Sequence, residues 1–476
     1  MKKLIVVILP FLAACSVGPD YVRPSTEMPA AFKETAAWKE AEPADTLPRG
    51  KWWQVFGDQG LNTLEERVEV SNQNLRLAQA QYRQSQALAR QAGAALFPTV
   101  SGNVSASRSQ ASSSSPSGGS LSTTHSLGLQ ASWETDLWGG LRRNIEAGED
   151  SALASAADLA ATRLSLQATL AQDWFSLRGL DAQKTLLDDT VAAYEKSLTL
   201  TRNRYAGGVA SQADVAQAET QLKSTRAQAL DVGVQRAQME HAIALLVGQS
   251  PSTFSLVPKP LFTAHPPALP AGLPSALLER RPDVAAAERR VAAANAQIGV
   301  AKAAFFPDLS LSANGGWQSS ALATWFSAPS RFWSLGPALA QTIFDGGLRS
   351  ARQEQAKAAW EASVATYRQT VLAAISDVED NLAALRILER EASVQDEALQ
   401  AARRSLDIAS NQYKAGITSY LNVVTAQAAA LSAESSANSL RIRRMAAGVG
   451  LIRALGGGWE ATKEPPAEGA EHEGKR

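Results

Sequence analysis

Two stretches of this chain alternate strictly between apolar and polar residues, and each follows a Phe-Pro pair, Phe97-Pro98 or Phe306-Pro307. A two-residue period is typical of a β-strand whose two faces meet different surroundings. Residues 109–124, beyond the first strand, are rich in serine and cannot bury apolar surface, so they suit a loop. The pattern therefore predicts two β-hairpins, over residues 98–137 and 307–344.

Helical patterns fill the rest of the first half. Residues 61–96 lead into the first hairpin and are rich in Ala, Gln, Leu and Arg, which favour helix. After the hairpin we predict a long helix over 141–204, about 96 Å at 1.5 Å per residue. It ends at Gly207-Gly208, and Ser211 is placed to cap a return helix over 212–247.

The last part of the long helix has a coiled-coil pattern. Apolar, aromatic and threonine side chains recur there at alternating spacings of four and three residues, which predicts one buried seam. The members of this seam are Leu187, Val191, Tyr194, Leu198, Thr201 and Tyr205.

The second half repeats the first. A helix over 275–305 precedes its hairpin, a long helix over 348–413 follows, and a return helix occupies 419–455. Three pairs of landmarks have nearly the same separation, as expected of a duplication with small insertions. They are Phe97-Pro98 with Phe306-Pro307, Gly139-Gly140 with Gly346-Gly347, and Tyr205 with Tyr413.

The repeat divides the chain into segments. We place repeat 1 at 61–248 and repeat 2 at 275–459, with a proline-rich linker at 249–274 between them. Residues 15–60 contain prolines and tryptophans without a sustained period and are expected to form an extended arm. Residues 460–476 are charged and are expected to be disordered.

The N-terminus has the pattern of an export signal. Two lysines precede an apolar run too short to span a bilayer as a helix, so we interpret residues 1–14 as a signal peptide. Cys15 is the only cysteine and follows Leu12-Ala13-Ala14, which resembles a bacterial lipobox. Cleavage before Cys15 would leave it to carry acyl chains. The alternative is ordinary cleavage beside a cysteine without lipid.

Composition argues against several other functions. The 46 basic and 46 acidic residues cancel, which is not the charge of a nucleic-acid binder. The four histidines are far apart, so we expect no metal site and no cofactor. The sequence shows no phosphate-binding loop and no nucleophile arrangement, so an enzyme, such as a membrane-anchored hydrolase, is not expected.

The four predicted strands do not make a complete membrane structure. An open sheet leaves unpaired edge groups that lipid cannot satisfy. Known barrels begin at about eight strands, so at least two copies are needed, and three copies would give about twelve. The fourth strand is the weakest because Gly336 and Pro337 interrupt it. A soluble β-sandwich is the alternative, but it offers no surface for helices of this length.

Aromatic residues occur near the ends of the hairpins, where they suit the interfacial girdles of a barrel. They are Phe97, Trp133, Trp138, Phe305, Phe306, Trp317, Trp325, Phe332 and Trp333. Long helices repeated around a ring would form a hollow cylinder of about 100 Å, and a cylinder joined to a pore is a conduit. A fibrous or adhesive coiled coil would not explain hairpins placed between the helices.

Several segments resemble the signature of TolC-like outer-membrane efflux factors, in the OprM/NodT-type lipoprotein branch. They are LLERRPDV at 277–284, AERR at 287–290, ANAQIG at 294–299, FFP at 305–307, IFDGG at 343–347 and NQYKAG at 411–416. The resemblance extends from Cys15 to Trp459. It implies an internally duplicated α+β membrane protein: a homotrimer with a 12-stranded transmembrane β-barrel continuous with a long periplasmic α-helical barrel, and an equatorial belt.

The same resemblance implies a function. Such a protein is the passive outer-membrane channel of a tripartite efflux system that exports drugs or other small toxic compounds. It is lipid-anchored in the outer membrane and works with a periplasmic adaptor protein and an inner-membrane pump of the RND type. The alternative with the same architecture is the outer-membrane conduit of a type I protein secretion system.

The resemblance also implies a gate at the helix ends, where acidic residues follow the glycine breaks. Repeat 1 has Asp214 there, whereas Asn422 and Thr425 stand at the corresponding positions of repeat 2. A strongly acidic, cation-binding gate is therefore not expected. Asp214 and Asn422 have an alternative role as helix-start residues, because both suit a helix N-terminus.

Apolar and aromatic residues are the other candidates for the gate. Our hypothesis is that Leu421 forms an apolar plug and that Tyr205 and Tyr413 hold the helix pairs closed. Opening would then be a shift of one helix pair against another.

Overall fold

The computed structural model describes residues 16–26, 29, 31–34, 51–114, 118–260, 262, 264–267 and 281–457. The predicted signal peptide, Cys15 and the predicted tail lie outside these residues. The chain has two compact units. Unit 1 comprises Met1–Ser25, Gln81–Ala156 and Ala286–Arg368, and unit 2 comprises Thr26–Ala80, Ala157–Ala285 and Gln369–Arg476.

The described residues form helices and strands in the predicted order. The helices are α1 (Gln59–Ser71), α2 (Gln73–Ala94), α3 (Gly140–Ala206), α4 (Gln212–Leu246), α5 (Pro282–Ala303), α6 (Leu348–Lys414) and α7 (Tyr420–Ala454). The strands are β1 (Thr99–Gln110), β2 (Leu121–Thr135), β3 (Asp308–Ser319) and β4 (Arg331–Ala340). Helices α3 and α6 both have 67 residues, and α4 and α7 both have 35, so the predicted duplication is confirmed.

The prediction of one helix over 61–96 was wrong. Helix α1 ends at Ser71, and Asn72 adopts an extended conformation before α2 begins. The Asn72 side chain accepts a 3.0 Å hydrogen bond from the Leu75 backbone N–H and donates one of 2.7 Å to the Leu246 carbonyl. An asparagine that satisfies backbone groups in this way competes with helix continuation.

The four strands of unit 1 form one antiparallel sheet in the order β1-β2-β3-β4. Its register aligns apolar side chains on one face, for example Val104 opposite Leu127 and Leu127 opposite Trp317. Serine, asparagine and glutamine lie on the other face. All of β1 is exposed and none of the residues of β2, β3 and β4 is buried, so among the described residues the sheet has no core of its own.

The structure refines two predictions about the strands and corrects one about an aromatic side chain. Strands β1 and β2 extend to Gln110 and Leu121, so the serine-rich loop is shorter than predicted. Strand β4 includes Gly336 and Pro337, which an end strand tolerates because its outer N–H groups need no partner in this sheet. Phe332, expected in a girdle, instead lies on the polar face opposite Gly316.

Aromatic residues join the sheet to the neighbouring helices within unit 1. Trp138 stacks on Phe306 with ring centroids 4.8 Å apart, and its Nε1 donates a 2.8 Å hydrogen bond to the Pro307 carbonyl. Trp133 Nε1 donates likewise to the Leu96 carbonyl at 2.9 Å. Trp138 therefore combines an apolar stacking contact with a polar one, as interfacial tryptophans do, and Trp133 makes a polar contact.

A buried ion cluster attaches the start of the linker to the helices of unit 2. The Asp181 carboxylate, only 1% exposed, accepts hydrogen bonds from Arg178, Arg236 and the Lys259 backbone N–H. Arg178 and Arg236 also donate to linker carbonyls. A buried carboxylate with several charge-assisted partners is tolerated, so this cluster determines the path of the linker.

Within the described residues, none of the helices combines the length and apolarity required to cross a membrane.

Candidate functional site: a gate at the helix ends

The ends of the four longest helices meet in unit 2 at two matching turns. One turn joins α3 to α4 and contains Gly208, and the other joins α6 to α7 and contains Gly416. Gly208 has φ of 74° and Gly416 has φ of 77°, a left-handed conformation that residues with a Cβ rarely adopt. The predicted helix breaks are therefore confirmed, and each turn depends on its glycine.

A small hydrophobic core lies beside these turns. It comprises Tyr194, Leu198, Ala218, Leu222, Tyr413, Tyr420 and Val423, which come from α3, α4, α6 and α7. Of the predicted seam, Leu187, Tyr194, Leu198 and Thr201 are buried. Tyr205 is 48% exposed, so the prediction that the seam extends to Tyr205 was wrong. Tyr205 is the second-last residue of α3 and is not a member of this core.

Tyr413 connects the two turns through two contacts of its side chain, and the carbonyl of the adjacent Lys414 adds a third. Its hydroxyl donates a 3.4 Å hydrogen bond to Thr201 Oγ1 on α3. The Arg204 guanidinium lies 4.7 Å from the centre of the Tyr413 ring, a cation–π distance. Arg204 Nη1 also donates a 3.1 Å hydrogen bond to the Lys414 carbonyl. The end of α3 is thus attached to the end of α6.

Tyr420 is a central member of this site that sequence reasoning missed. Its ring packs edge-on against Tyr413, and its hydroxyl lies 3.1 Å from Ser197 Oγ. Burial raises the pKa of the Tyr420 hydroxyl, so it stays neutral as a hydrogen-bonding group. The available signal was an aromatic residue in the first turn of α7, directly after the predicted start at Ser419.

Asp214 is engaged in a capping box. Ser211 Oγ accepts a 3.1 Å hydrogen bond from the Asp214 backbone N–H, and the Asp214 carboxylate accepts one of 2.9 Å from the Ser211 backbone N–H. This geometry confirms Ser211 as the N-cap of α4. It matches the alternative interpretation of Asp214 as a helix-start residue.

The corresponding helix start in repeat 2 has different chemistry. Ser419 makes no side-chain capping bond, while Asn422 Nδ2 donates to Thr418 Oγ1. Leu421 is 54% exposed, and its carbonyl accepts a 3.0 Å hydrogen bond from Thr425 Oγ1. Asn422, Thr425 and Leu421 therefore share one exposed region at the first turns of α7.

An open groove between α6 and α7 includes part of that region. Its lining residues are Ala401, Arg404, Ser405, Ile408, Ala409, Gln412, Asn422, Thr425, Ala426 and Ala429. Arg404 is the one charged side chain among these described residues, so the groove is not acidic. Across the described part of the chain, acidic, histidine and cysteine side chains form no cluster suited to a metal ion.

The N-terminal arm is attached to unit 1 at the junction between strand and helix. The Val17 backbone N–H donates a 3.0 Å hydrogen bond to the Trp138 carbonyl, and Arg143 pairs with Asp20 at 2.7 Å. Arg23 and Tyr21 both reach Glu288 on α5. Ser16, next to the predicted lipid-bearing cysteine, is therefore held at the end of the sheet from which the helices extend.

A sheet with one apolar face and no core, combined with long paired helices and a tyrosine-held turn, is the arrangement of an outer-membrane channel. The outer membrane efflux protein family matches residues 64–249 and 273–457, one match for each repeat. The chain belongs to this family. Its fold class is the one predicted, an internally duplicated α+β membrane fold.

Relatives match the chain over nearly its whole length. The pyoverdine export outer membrane protein OpmQ of Pseudomonas aeruginosa is 33% identical, over 95% of this chain and 96% of OpmQ. The probable efflux pump outer membrane protein TtgC of Pseudomonas putida is 33% identical, over 94% and 93%. The solved structure of the outer-membrane channel OprN has a TM-score of 0.86 at 32% identity, covering 94% of this chain and 100% of OprN.

Proposed function

We propose that three copies of this chain form the outer-membrane channel of a tripartite efflux system. The observation that carries the proposal is the sheet of unit 1: four strands with an apolar face, no core and two end strands without further strand partners among the described residues. Lipid cannot satisfy the free groups of such end strands, so neighbouring copies must pair with them. Three copies supply twelve strands, a size at which barrels enclose a channel.

The channel is passive and its cargo is small. Efflux relatives such as TtgC and the pyoverdine exporter OpmQ support a small-molecule cargo rather than a secreted protein. The energy comes from an inner-membrane pump of the RND type, which reaches the channel through a periplasmic adaptor. The long helices α3 and α6, about 100 Å each, have the length to extend into the periplasm.

An acylated Cys15 anchors each copy to the outer membrane. The arm that follows it is held on unit 1 by the contacts of Val17 and Asp20, which support a lipid position at the membrane-facing end of the strands. Cys15→Ser is expected to remove the acyl mass from the mature N-terminus. Mass spectrometry that finds an unacylated N-terminus in the parent protein would contradict the anchor alone, not the channel.

The periplasmic gate consists of the two helix turns. Tyr413 holds α6 to α3, and the exposed Leu421 is the apolar plug, with Asn422, Thr425 and Asp214 at the same helix starts. Tyr205 lies on the exposed side of the first turn. Opening separates the contacts of Tyr413 and moves one helix pair relative to the other.

The direct test combines a deletion strain with the purified protein. Loss of the gene is expected to increase susceptibility to a subset of dyes, detergents, antibiotics or metal ions, and a plasmid copy should restore resistance. The purified protein is expected to be a trimer by native mass spectrometry and to conduct ions in planar bilayers. A stable single-chain species without conductance would overturn the proposal.

A further inference from the structure

The loop between β3 and β4 folds onto the apolar face of the sheet. The Phe326 ring packs edge-on against Trp317 at 6.0 Å, and Trp325 Nε1 donates a 3.3 Å hydrogen bond to the Trp317 carbonyl. Trp325 and Phe326 stack on each other at 4.9 Å. Because Trp317 belongs to the row of Leu127 on the apolar face, the loop rings must lie on that face as well.

Arg331 is the charged residue of this aromatic patch. It lies directly opposite Trp317 in the register, so its side chain emerges on the apolar face beside the rings. Arg331 is exposed and, within the described residues, has no ion pair. His125 adds an imidazole ring, whose centroid lies 5.7 Å from that of Trp325. We call Trp317, Trp325, Phe326, Arg331 and His125 the loop patch.

Away from the helix-adjacent ends of the strands, where Glu134 and Asp308 lie, the charge of the sheet has one sign. Residues 99–133 and 309–340 contain Arg108, His125 and Arg331 but no aspartate or glutamate. An arginine facing lipid is destabilising at the centre of a bilayer and tolerated near its surface, so the patch belongs at the membrane surface. The acidic residues of the sheet, Glu134 and Asp308, lie at its opposite end, so the guanidinium needs an anion from the membrane itself.

We propose that the loop patch binds the phosphorylated headgroup of a glycolipid in the outer leaflet of the outer membrane. The planar, multiply donating guanidinium of Arg331 matches a phosphate group. The stacked rings of Trp325 and Phe326 offer a flat apolar surface to a sugar ring at the depth where aromatic residues concentrate. This assignment rests on the proposed placement of the sheet in the outer membrane, with the hairpin loops outward.

Native mass spectrometry of the purified detergent-solubilised protein tests the site. The added probes are a bisphosphorylated lipid A, the same lipid after removal of its phosphates, and phosphatidylglycerol. The parent protein is expected to retain the bisphosphorylated lipid several-fold more than either other lipid. Equal retention of phosphorylated and dephosphorylated lipid A would overturn the proposal, and equal retention of phosphatidylglycerol would overturn the choice of a glycolipid.

Variants assign the effect to the patch. Arg331→Gln should abolish the preference for phosphate, and Arg331→Lys, which keeps the charge but not the planar fork, should keep part of it. Arg90→Gln, at an exposed arginine on α2, should change nothing. A preference that survives Arg331→Gln overturns the assignment. If Arg331→Gln does not assemble, the lipid preferences of the parent protein and of Arg331→Lys still test the proposal. Conductance measured on the same sample separates the two proposals, because a conducting channel without phosphate preference contradicts only this inference.

Discussion

The ring of Tyr413, at the end of α6, packs edge-on against the ring of Tyr420, at the start of α7, with centroids 5.2 Å apart and planes at 60°. The two tyrosines flank the turn that contains Gly416, and each also contacts α3, through Thr201 and Ser197 respectively. Two buried tyrosines therefore attach this turn to α3 by hydrogen bonds, and we predict that opening of the proposed gate breaks them.

Removal of the Tyr413 ring should open the channel. Tyr413→Ala deletes a buried aromatic side chain, a change that costs about 3–5 kcal/mol in typical cores, so the closed state loses its main contact. We expect a higher open probability in planar bilayers. Tyr413→Phe loses only a long hydrogen bond, about 1 kcal/mol, and should have a small effect. The control is Tyr205→Ala at the equivalent, exposed position, and an equal effect there would contradict the role of Tyr413.

Leu421→Ala tests the apolar plug. The side chain is 54% exposed at the first turn of α7, so truncation should leave folding unchanged and widen the aperture. Single-channel conductance is expected to rise. Leu230→Ala, at a 70% exposed leucine on α4, is the matched control and should leave conductance unchanged. Unchanged conductance of the Leu421 variant would exclude the plug.

Substitution of Asp214 should affect stability, whereas substitution of Asn422 should affect conductance. Asp214→Ala removes the carboxylate of the capping box and is expected to lower the free energy of unfolding by about 1 kcal/mol, measured by denaturant titration. Asn422→Asp should leave stability nearly unchanged but make conductance sensitive to divalent cations, because it adds a ring of charge. If divalent cations block the unsubstituted channel as strongly as the Asn422→Asp channel, the prediction that the gate is not strongly acidic is wrong.

Glu65 should make stability depend on pH. Its side chain is fully buried in α1, and neither of its carboxylate oxygens has a hydrogen-bond partner among the described residues. Burial is the main cause that raises the pKa of Glu65 well above the ordinary value, and the nearby charge of Glu69 is the second. The native state therefore keeps Glu65 protonated at pH values at which the unfolded chain has lost this proton. Stability is full below the ordinary carboxyl pKa of about 4.3 and falls as pH rises toward the raised value, by up to about 1.4 kcal/mol per pH unit.

Glu65→Gln should remove this dependence. Thermal unfolding at pH 5 and pH 8 is expected to show that the variant gains stability over the parent protein as pH increases. Arg163 faces this region from α3, but it pairs with Glu69 at 3.0 Å. Glu66→Gln, at an exposed carboxylate paired with Lys51, is the control. Parallel pH profiles for the parent protein and Glu65→Gln would show that Glu65 does not titrate in this range.

Gly316 should be essential to the sheet. A Cβ atom at this position would lie 2.0 Å from the Leu127 carbonyl oxygen of the adjacent strand, which backbone atoms cannot accommodate without a shift. Gly316→Ala is expected to prevent assembly, seen as loss of the folded, slowly migrating band on unheated gels. Gly315→Ala is the control, because its Cβ would be an ordinary 3.5 Å from the nearest atom. Normal assembly of the Gly316 variant would contradict the close approach.

Much of the fold follows from local patterns, as two elements illustrate. The long helix predicted over 141–204 is α3, Gly140–Ala206, because its limits depend on adjacent glycines. The break at Asn72 was missed because its side chain is held by the Leu246 carbonyl, a contact far away in sequence. Tyr420 was missed for the same reason, since its importance depends on Ser197 in another repeat.

The sequence by itself determined the alternation that separates an apolar from a polar face, the duplication, and the glycines at which the long helices turn back, because each is encoded within a few neighbouring residues. The tertiary structure alone decided how equivalent positions differ: Tyr413 is 5% exposed and Tyr205 48%. The reason is physical. Burial depends on which helix lies across a side chain, and the pairing of helices from different repeats gives the two tyrosines different neighbours.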